Sequence, residues 1–316
     1  MQLLIAGTPG CLFDFVCGLL IRTTGTVPTS IVHRHCNSDE TWIADTGTLE
    51  EQSYVLTTSY PSWSILKAVR EGKLPAIVVI DTPHRCFMDL RQAGYDAAGI
   101  ARQLSACAAM LGELSDSPVA LRLGPDVRQN PAATLQTILN HASWPYFAST
   151  PDNSNQEEPI ATVLSANEEA LIGGVIHPAF QFAATGERRK FTWPRAHLFW
   201  GDHPNQPAPA ILNLVGPARV IVYGPYFHIP TGYWVVQAQF AFSPAACNAT
   251  LALEFHGTFR LARCKLQVEH AGIFQIELPL HITSAHETIE LRLVLENGAI
   301  EGHLGLDDIQ IIPIDP

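Results

Sequence analysis

The sequence predicts a parallel α/β domain followed by an all-β antiparallel domain. Short apolar runs alternate with helical patterns in the first part of the chain, whereas apolar residues recur with period two beyond about Phe191. A chain of 316 residues is long enough for two domains of ordinary size. We predict domains at 1–150 and 191–316, joined by a linker and connecting segment at 151–190.

Composition excludes several classes of partner. The hydrophobic content of 47% is that of a globular protein. A net charge of -11 with 19 Lys+Arg argues against a nucleic-acid-binding or anionic-membrane surface, because such a surface needs clustered basic residues. No apolar stretch reaches the roughly 18 residues that a membrane span requires. The N-terminus lacks the basic region of a signal peptide, so we predict none.

The cysteines indicate a compartment. There are seven, an odd number, scattered without a CxxC pair. This pattern favours reduced structural thiols in a cytoplasmic protein.

The N-terminal domain has the signals of a three-layer α/β fold with a parallel sheet. Three short β-branched or apolar runs predict buried strands at Leu3–Ala6, Ala76–Asp81 and Pro118–Leu123. Phe13 to Ile21 predicts a helix, and helical spacing continues through Ile100, Leu104, Ala108 and Leu111. Asn130 before Pro131 predicts a helix start, with an N-cap and then proline at the first helical position.

The first strand and helix are joined by a loop with the shape of a phosphate-binding loop, Gly7, Thr8, Pro9, Gly10 and Cys11. Backbone N–H groups at a helix N-terminus attract anions. The lysine and Ser/Thr that normally complete such a loop are absent. We therefore predict a weak, degenerate cofactor-binding loop.

Three motifs in the first 150 residues resemble those of the sulfotransferase family: "LLIAGTPGCLFDF", "IVVIDTPHRCFMDLRQAGYD" and "VALRLGPDVRQNPAATLQTILNHASWP". In that family they form the loop around the 5'-phosphosulfate, the segment that grips the 3'-phosphate, and a late strand leading to a "DPxxTL" helix. The third motif, with "NPAATL" at Asn130–Leu135, is the best match. The resemblance implies a P-loop-type fold and PAPS as the sulfonate donor.

The departures from the family pattern predict poor donor binding. Where the family has a basic residue followed by Ser-Gly-Thr/Ser-Thr, this chain has Gly10 to Asp14. Asp81 and Asp89 occupy the positions of the arginine and the serine that contact the 3'-phosphate, and like charges repel. Arg85 is near enough in sequence to reach back towards the phosphate, and a solvated surface residue at a helix start is the alternative. We expect a catalytically silent domain with no cofactor, and PAPS enters only if the protein is an active transferase.

Other polar groups in this half give weaker signals. "HRHC" at His33–Cys36 favours a loop or edge strand over a metal site, because no further ligands are indicated. Asp39 and Glu40 are candidates for a general base if the protein is an enzyme. The acidic, proline-bounded stretch Thr150–Pro159 predicts a linker, so a chain that starts near Gly186 should fold alone as a β-rich domain.

The C-terminal half predicts an antiparallel sandwich, specifically a jelly roll. Apolar and polar residues alternate over four segments, in the stretches 234–242, 251–256, 274–278 and 289–296. Trp234 is in phase with the apolar face, which predicts a core position.

The stretches "GHLGLDDIQIIPI" and "YGPYFHIPTGYW" resemble non-catalytic carbohydrate-binding jelly rolls. In such modules a "-DD-" pair on the last strand accompanies a structural calcium, which here would involve Asp307 or Asp308; a solvated strand edge is the alternative. Turn-borne aromatic residues beside a carboxylate suit a sugar. The candidate ligand-binding residues are Trp200, Asp202, Tyr223 and Tyr226.

Three hypotheses therefore remain open. The first is a silent sulfotransferase-like domain joined to a sandwich that binds a glycan or a protein partner in polysaccharide biosynthesis. The second is an active sulfotransferase, or another nucleotide-donor transferase, acting on a glycan. The third is a structural or assembly protein. The sequence favours the first.

Overall fold

A computed structural model describes residues 2–24, 31–36, 53–144 and 163–315. The chain divides into two compact units. The first unit comprises Met1–Asp96, Cys107–Val163 and Phe180–Gly186, and the second comprises Ala97–Ala106, Leu164–Ala179 and Glu187–Pro316. The two units and the predicted domains differ in how they assign residues 97–106 and 164–190. The predicted linker at Thr150–Pro159 lies outside the described residues.

The first unit contains a parallel sheet, sheet A. Its strands are β1 (Gln2–Gly7), β2 (Ile31–His35), β3 (Ser53–Thr58), β4 (Ala76–Val79) and β5 (Ala120–Leu123). In the described residues they pair in the order β2-β3-β1-β4-β5, every pair parallel. Leu3 and Leu4 point to opposite faces and both are fully buried, which explains why the strands lack polar alternation. The predicted parallel sheet is confirmed.

Helices follow the strands along the chain. They are α1 (Cys11–Thr24), α2 (Trp63–Arg70), α3 (Pro83–Gln92), α4 (Ala97–Gly112, divided between the units) and α5 (Pro131–His141). One face of sheet A forms a core with apolar residues of α1 and α5. The Asn130 side chain accepts a hydrogen bond from the Ala133 N–H at 3.1 Å, so the predicted cap and the helix start at Pro131 are confirmed.

The second unit is built mainly from antiparallel strands. They are β6 (Phe191–Trp193), β7 (Phe199–Trp200), β8 (Ile211–Asn213), β9 (Arg219–His228), β10 (Gly232–Phe242), β11 (Thr250–His256), β12 (Arg260–Gln267), β13 (Gly272–Ile282), β14 (Thr288–Leu295), β15 (His303–Leu306) and β16 (Ile309–Pro313). Before them the chain forms α6 (Ala166–Leu171), a π-helical turn (Ile172–Ile176) and α7 (His177–Thr185), the last divided between the units.

These strands form two sheets in the described part of the chain. Sheet B has the order β6-β16-β10-β15-β8, with β13 also paired to β10, and sheet C has the order β12-β11-β14-β9-β7. Aromatic rings of sheet B pack against those of sheet C. The ring centroid of Trp193 on β6 lies 5.9 Å from that of Phe227 on β9 and 6.0 Å from that of Phe255 on β11. Trp234 is fully buried, as its phase predicts. The antiparallel sandwich is confirmed, whereas the jelly-roll connectivity stays a prediction.

Two further predictions concern disulfides and membrane-spanning helices. The seven cysteines all lie in the described ranges, and none is paired in a disulfide. Among the described residues, the helices are all too short or too polar to cross a membrane.

Candidate functional site

The first candidate site lies at the carboxyl ends of β1 and β4. β1 sits between β3 and β4, so the chain moves to one side of it for β2 and β3 and to the other side for β4 and β5. Ligands of open α/β sheets bind in the crevice at such a topological switch point. The sheet therefore brings the Gly7–Cys11 loop and the Asp81–Asp89 segment to the same edge.

The Gly7–Cys11 loop is closely packed. Thr8 is fully buried; its N–H donates to the Val79 carbonyl at 2.9 Å, and its hydroxyl accepts from the Asp81 N–H at 3.1 Å. A Cβ on Gly7 would lie 2.5 Å from the Phe13 ring, which requires glycine at that position. Contacts on both sides thus hold the loop in one shape.

Asp89 lies against the Gly7–Cys11 loop, at the N-terminus of α1. Its Oδ2 accepts a hydrogen bond from the Cys11 N–H, the first residue of α1, at 2.8 Å. A Cβ on Gly10 would approach the same oxygen to 2.9 Å. A carboxylate at a helix N-terminus is favourable for the same reason that a phosphate is. The protein itself therefore supplies an anion to this loop.

A second acidic group lies close to the loop. Burial, followed by the charge of Asp89, raises the pKa of Asp14 in the first turn of α1, although the charge of His35 opposes the shift. The two carboxylates thus disfavour each other's charge, and a third anion would add to that repulsion.

Asp81 lies beneath two arginines. Its side chain is 3% exposed, and Oδ2 lies 3.9 Å from both Arg85 Nε and Arg128 Nη2. None of these three atoms has a hydrogen-bond partner among the described residues. Burial raises the pKa of Asp81, and the Thr82 N–H and the two arginines act in the opposite direction. The sequence left Arg85 open between this position and a solvated surface, and it missed Arg128, whose signal was its place just after β5 in the third motif.

The thiols near this loop are unsuited to nucleophilic chemistry. The Cys86 Sγ donates to the Thr8 hydroxyl at 3.5 Å, and the Cys107 Sγ donates to the Gly7 carbonyl at 3.3 Å. Burial raises the pKa of both thiols far above the ordinary value, so both are neutral near pH 7. Their contribution is to packing beneath the loop.

His33 to His35 of the "HRHC" motif lie in β2, the edge strand of sheet A among the described strands, as predicted. His35 is exposed and its Nδ1 lies 3.0 Å from the Thr57 hydroxyl. The His33 side chain, Asp39 and Glu40 lie outside the described residues.

The second candidate site is an aromatic cluster on sheet C. The Phe199 ring stacks on the Tyr223 ring with centroids 5.3 Å apart and lies 6.3 Å from Tyr226. The Arg102 guanidinium lies over Phe199 at 5.8 Å. All three residues are half-buried. The sequence identified both tyrosines and missed Phe199.

Tyr226 holds an unusual backbone conformation in this cluster, with φ at +68°. Its hydroxyl donates to Glu290 Oε1 at 2.9 Å. Burial, then this hydrogen bond and the Glu290 charge, raise the pKa of Tyr226 to about 12. The ring is therefore anchored as a neutral phenol.

The other two predicted sugar-binding residues lie elsewhere. Phe199 pairs with Tyr223 whereas Trp200 pairs with Val222, and successive strand residues point to opposite faces. Trp200 packs on His203 with centroids 4.0 Å apart. Asp202 makes a bidentate ion pair with Arg219, at 2.5 and 2.9 Å. The structure thus separates the predicted residues into a tyrosine pair and a Trp200–Asp202 pair.

A row of charged residues continues from the aromatic cluster across sheet C. Pairing places Arg263, Glu254, Arg292, Tyr223 and Phe199 side by side on β12, β11, β14, β9 and β7. We call this surface the outer face of sheet C, because its residues alternate with buried Leu253, Leu291 and Val222. The row was missed from the sequence, where its signal was charge at the polar positions of the alternating strands.

Ion pairs order the acidic members of this face. Glu254 lies 3.1 Å from Arg263 Nε, 3.5 Å from Arg260 and 2.9 Å from His256 Nε2. Burial alone would raise the pKa of Glu254. The His256 hydrogen bond and the surrounding positive charges together outweigh burial, so the pKa of Glu254 is lowered. Arg292 Nη2 lies 2.6 Å from Glu290 Oε2. The Glu254 carboxyl is therefore ionised, and both glutamates are ion-paired with the cations beside them.

Asp307 and Asp308 lie between β15 and β16, two strands that both pair with β10. Asp308 Oδ1 accepts from the Arg195 N–H, and Asp307 Oδ1 accepts from the Asp308 N–H, both at 2.8 Å. Ca²⁺ takes six to eight oxygen ligands. Across the described ranges, no three His, Cys, Asp or Glu side chains form a group that would hold a metal. Each of the two carboxylates thus accepts a backbone hydrogen bond, and a calcium site at Asp307 or Asp308 stays a prediction.

The architecture defines a parallel α/β unit combined with an antiparallel sandwich unit. No protein-family model matches the chain, and a search of curated proteins gives no significant match. A mouse sulfotransferase solved with PAP matches with 10% identity and a TM-score of 0.36, covering 54% of this chain. The match spans 62% of that sulfotransferase.

Carbohydrate-binding modules match as well. One solved with β-1,4-galactotriose has 13% identity and a TM-score of 0.26, covering 32% of this chain and 69% of its own. Another, from Cellvibrio mixtus lichenase 5A solved with cellotriose, has 14% identity and a TM-score of 0.22, covering 33% of this chain and 71% of its own. The chain thus has a weak two-part fold resemblance to these classes, and its function has to be argued from its side chains.

Proposed function

We propose that this protein binds a glycan through the outer face of sheet C, and that its α/β unit is a catalytically silent relative of nucleotide-dependent sulfotransferases. The observation that carries the proposal is the aromatic cluster beside a row of ordered charged groups on one sheet face. Phe199, Tyr223 and Tyr226 supply the rings, and Glu254 and Arg292 supply the polar groups.

The chemistry of this face suits a sugar. Aromatic rings pack against the apolar C–H face of a pyranose, and charged side chains hydrogen-bond to its hydroxyls. The Phe199–Tyr223 stack and the Tyr226–Glu290 hydrogen bond hold the rings before any ligand arrives. A preordered surface loses less conformational entropy on binding.

The contacts around the first loop support the silent assignment. Asp89 already accepts from the Cys11 N–H, and Asp14 stands in the first turn of the same helix. A donor phosphate would have to displace one carboxylate and approach another. We expect calorimetry to detect no PAPS or PAP binding at micromolar concentration.

An active transferase is the second candidate, favoured by one observation. Arg85 and Arg128 place two guanidinium groups at the switch point, and each has a buried N–H without a hydrogen-bond partner in the described chain. Micromolar binding of PAPS that is lost in Arg128→Gln would establish this alternative and overturn the silent assignment.

Affinity electrophoresis of the full chain through a set of immobilised polysaccharides tests glycan binding. Tyr223→Ala and Tyr226→Ala should each weaken retention by the equivalent of about 1 to 3 kcal/mol, as expected for an anchoring aromatic residue. Tyr226→Phe keeps the ring and loses only the Glu290 hydrogen bond, so it should retain most of the binding. Trp200→Ala measures the contribution of the other predicted aromatic residue.

The control is Tyr233→Ala. Tyr233 is an exposed tyrosine on sheet B that stacks on His281 at 4.1 Å, so its loss removes a similar ring from the other sheet. Binding that is lost in the Tyr233 variant and kept in the Tyr223 variant would place the site on sheet B. If no polysaccharide retards the wild-type protein, glycan binding fails and the assembly-protein hypothesis takes its place.

A further inference from the structure

The cations on the outer face of sheet C stand outside their carboxylate partners. On the strand pair β12 and β11, the side chains of Arg260, Arg263 and Lys265 are 52%, 39% and 64% exposed. Glu254 and Glu296, to which they pair, are only 14% and 20% exposed. A molecule that approaches this face therefore meets the positive groups first.

The same arrangement continues on β14. The Arg292 side chain is 41% exposed and that of its partner Glu290 is 11% exposed. Glu290 also accepts from the Tyr226 hydroxyl, so its oxygens are both engaged. An arginine has five N–H donors, and Arg292 needs only two for Glu290. The remaining donors are available to a ligand, whereas the carboxylate serves to orient them.

The positive groups and the rings lie along one line. Arg263, Arg292, Tyr223 and Phe199 belong to the same row across sheet C. With about 4.8 Å between strands, the four intervals from β12 to β7 span about 19 Å. Such a length suits several consecutive units of a polymer. Because the protein as a whole carries -11, an anionic polymer is attracted only where cations are concentrated.

We propose that the ligand of this face is an anionic glycan, a polysaccharide that carries carboxylate or sulfate groups. Arg260, Arg263 and Lys265 on β12 and Arg292 on β14 bind the anionic groups, and the Tyr223–Phe199 end of the row packs against a sugar ring. Arginine suits planar, bidentate recognition of carboxylate and sulfate oxygens. The inference rests on the proposed glycan-binding function and names the class of glycan.

Matched ligand pairs test this with the full chain. Dextran is compared with dextran sulfate, and fully methyl-esterified pectin with pectate, by affinity electrophoresis and calorimetry. We expect at least one anionic member to bind about tenfold or more tightly than its neutral partner. Its affinity should fall as NaCl rises from about 50 to about 500 mM, because exposed charges are screened over a few ångströms at high salt.

Variants locate the charges. Arg263→Gln and the triple variant Arg260→Gln, Arg263→Gln, Lys265→Gln should weaken binding of the anionic glycan about tenfold or more, and should weaken it more than binding of the neutral partner. Lys265→Gln alone is the milder second variant, since its side chain is the most exposed of the three. Arg189→Gln is the matched control: its side chain is 57% exposed and pairs with Glu187, in the segment before sheet B.

The outcomes are distinguishable. Equal binding of neutral and charged partners, or binding that the β12 variants leave unchanged, would overturn the anionic-glycan inference and leave glycan binding intact. Poly-glutamate binding as tightly as pectate would show recognition of an acidic polypeptide and also overturn it. If neutral and anionic polysaccharides all fail to bind, the proposed function itself is wrong.

Discussion

Three buried or engaged side chains show how single residues decide the chemistry of this protein. Asp89 accepts a hydrogen bond from the Cys11 N–H, which places a carboxylate at the N-terminus of α1. The buried Asp81 side chain lies 3.9 Å from Arg85 and Arg128. In the second unit, His228 is 4% exposed, and its Nδ1 donates to the Ala285 carbonyl at 2.9 Å.

The buried His228 predicts a loss of stability in mild acid. Burial lowers the pKa of His228 from 6.5, against the effect of the Ala285 hydrogen bond. The unfolded chain therefore takes up a proton near pH 6.5, before the folded protein does, so the free energy of unfolding falls as the pH drops below about 6.5. His228→Asn keeps a donor near the Ala285 carbonyl and does not titrate. Urea unfolding between pH 7.5 and pH 5 should show a smaller decrease in this variant.

His303→Asn is the control for this prediction, because His303 is exposed in the folded protein. Its replacement should leave the decrease as large as in the wild-type protein. A decrease that is identical in all three proteins would contradict a role for the buried imidazole.

At the scale of elements, close backbone approach positions the helical segment before sheet B. The capping box of Ser165 and Glu168 starts α6, and the chain then passes through the π-helical turn Ile172–Ile176. Within that turn, a Cβ on Gly174 would lie 2.4 Å from the Thr192 carbonyl oxygen on β6. Its neighbour Gly173 has open space around the corresponding position. The two adjacent glycines therefore have different reasons to be glycine.

Gly174→Ala should destabilise the second unit by about 1 to 3 kcal/mol, the usual cost of overpacking, because the obstacle is a backbone oxygen on a buried strand. Gly173→Ala should be neutral or stabilise by up to about 1 kcal/mol, because alanine lowers the entropy of the unfolded chain without a clash. Thermal unfolding of the two variants gives the comparison. Equal effects would show that β6 does not constrain the turn.

At the scale of the whole molecule, the chain is divided into units that are discontinuous in sequence. Residues 97–106 and 164–179 belong to the second unit, although they precede its strands. Arg102 donates to the Pro225 carbonyl at 3.2 Å, and the Ser105 hydroxyl accepts from the His228 N–H at 3.3 Å. The sandwich unit therefore includes helical segments that the predicted boundary at 191 leaves out.

Truncation tests whether the helical segment before sheet B is part of the second unit. A chain of residues 164–316 should have a higher melting temperature than one of residues 187–316, because only the longer one keeps the turn that packs on Thr192. Both should give a β-type far-UV spectrum. Identical melting temperatures would mean that the helical segment contributes nothing to the sandwich, and a 187–316 chain without β signal would contradict the expectation that residues from about Gly186 fold alone.

The sequence alone determined the features that depend on neighbouring residues. Alternation in β10 and β14 predicted strands with one buried face, because successive strand residues point to opposite sides. Asn130 and Pro131 predicted a helix start, because a cap involves groups only three residues apart.

Tertiary structure decided the contacts between residues distant in the chain. Asp89 meets Cys11 across 78 residues, and Phe199 stacks on Tyr223 from another strand. The row from Arg263 through Glu254 to Arg292 exists only because three strands pair in one register. A shift of one residue would turn these side chains to the other face. The strand pattern is thus written in local sequence, whereas the register that assembles the proposed binding face is set by packing of the whole sheet.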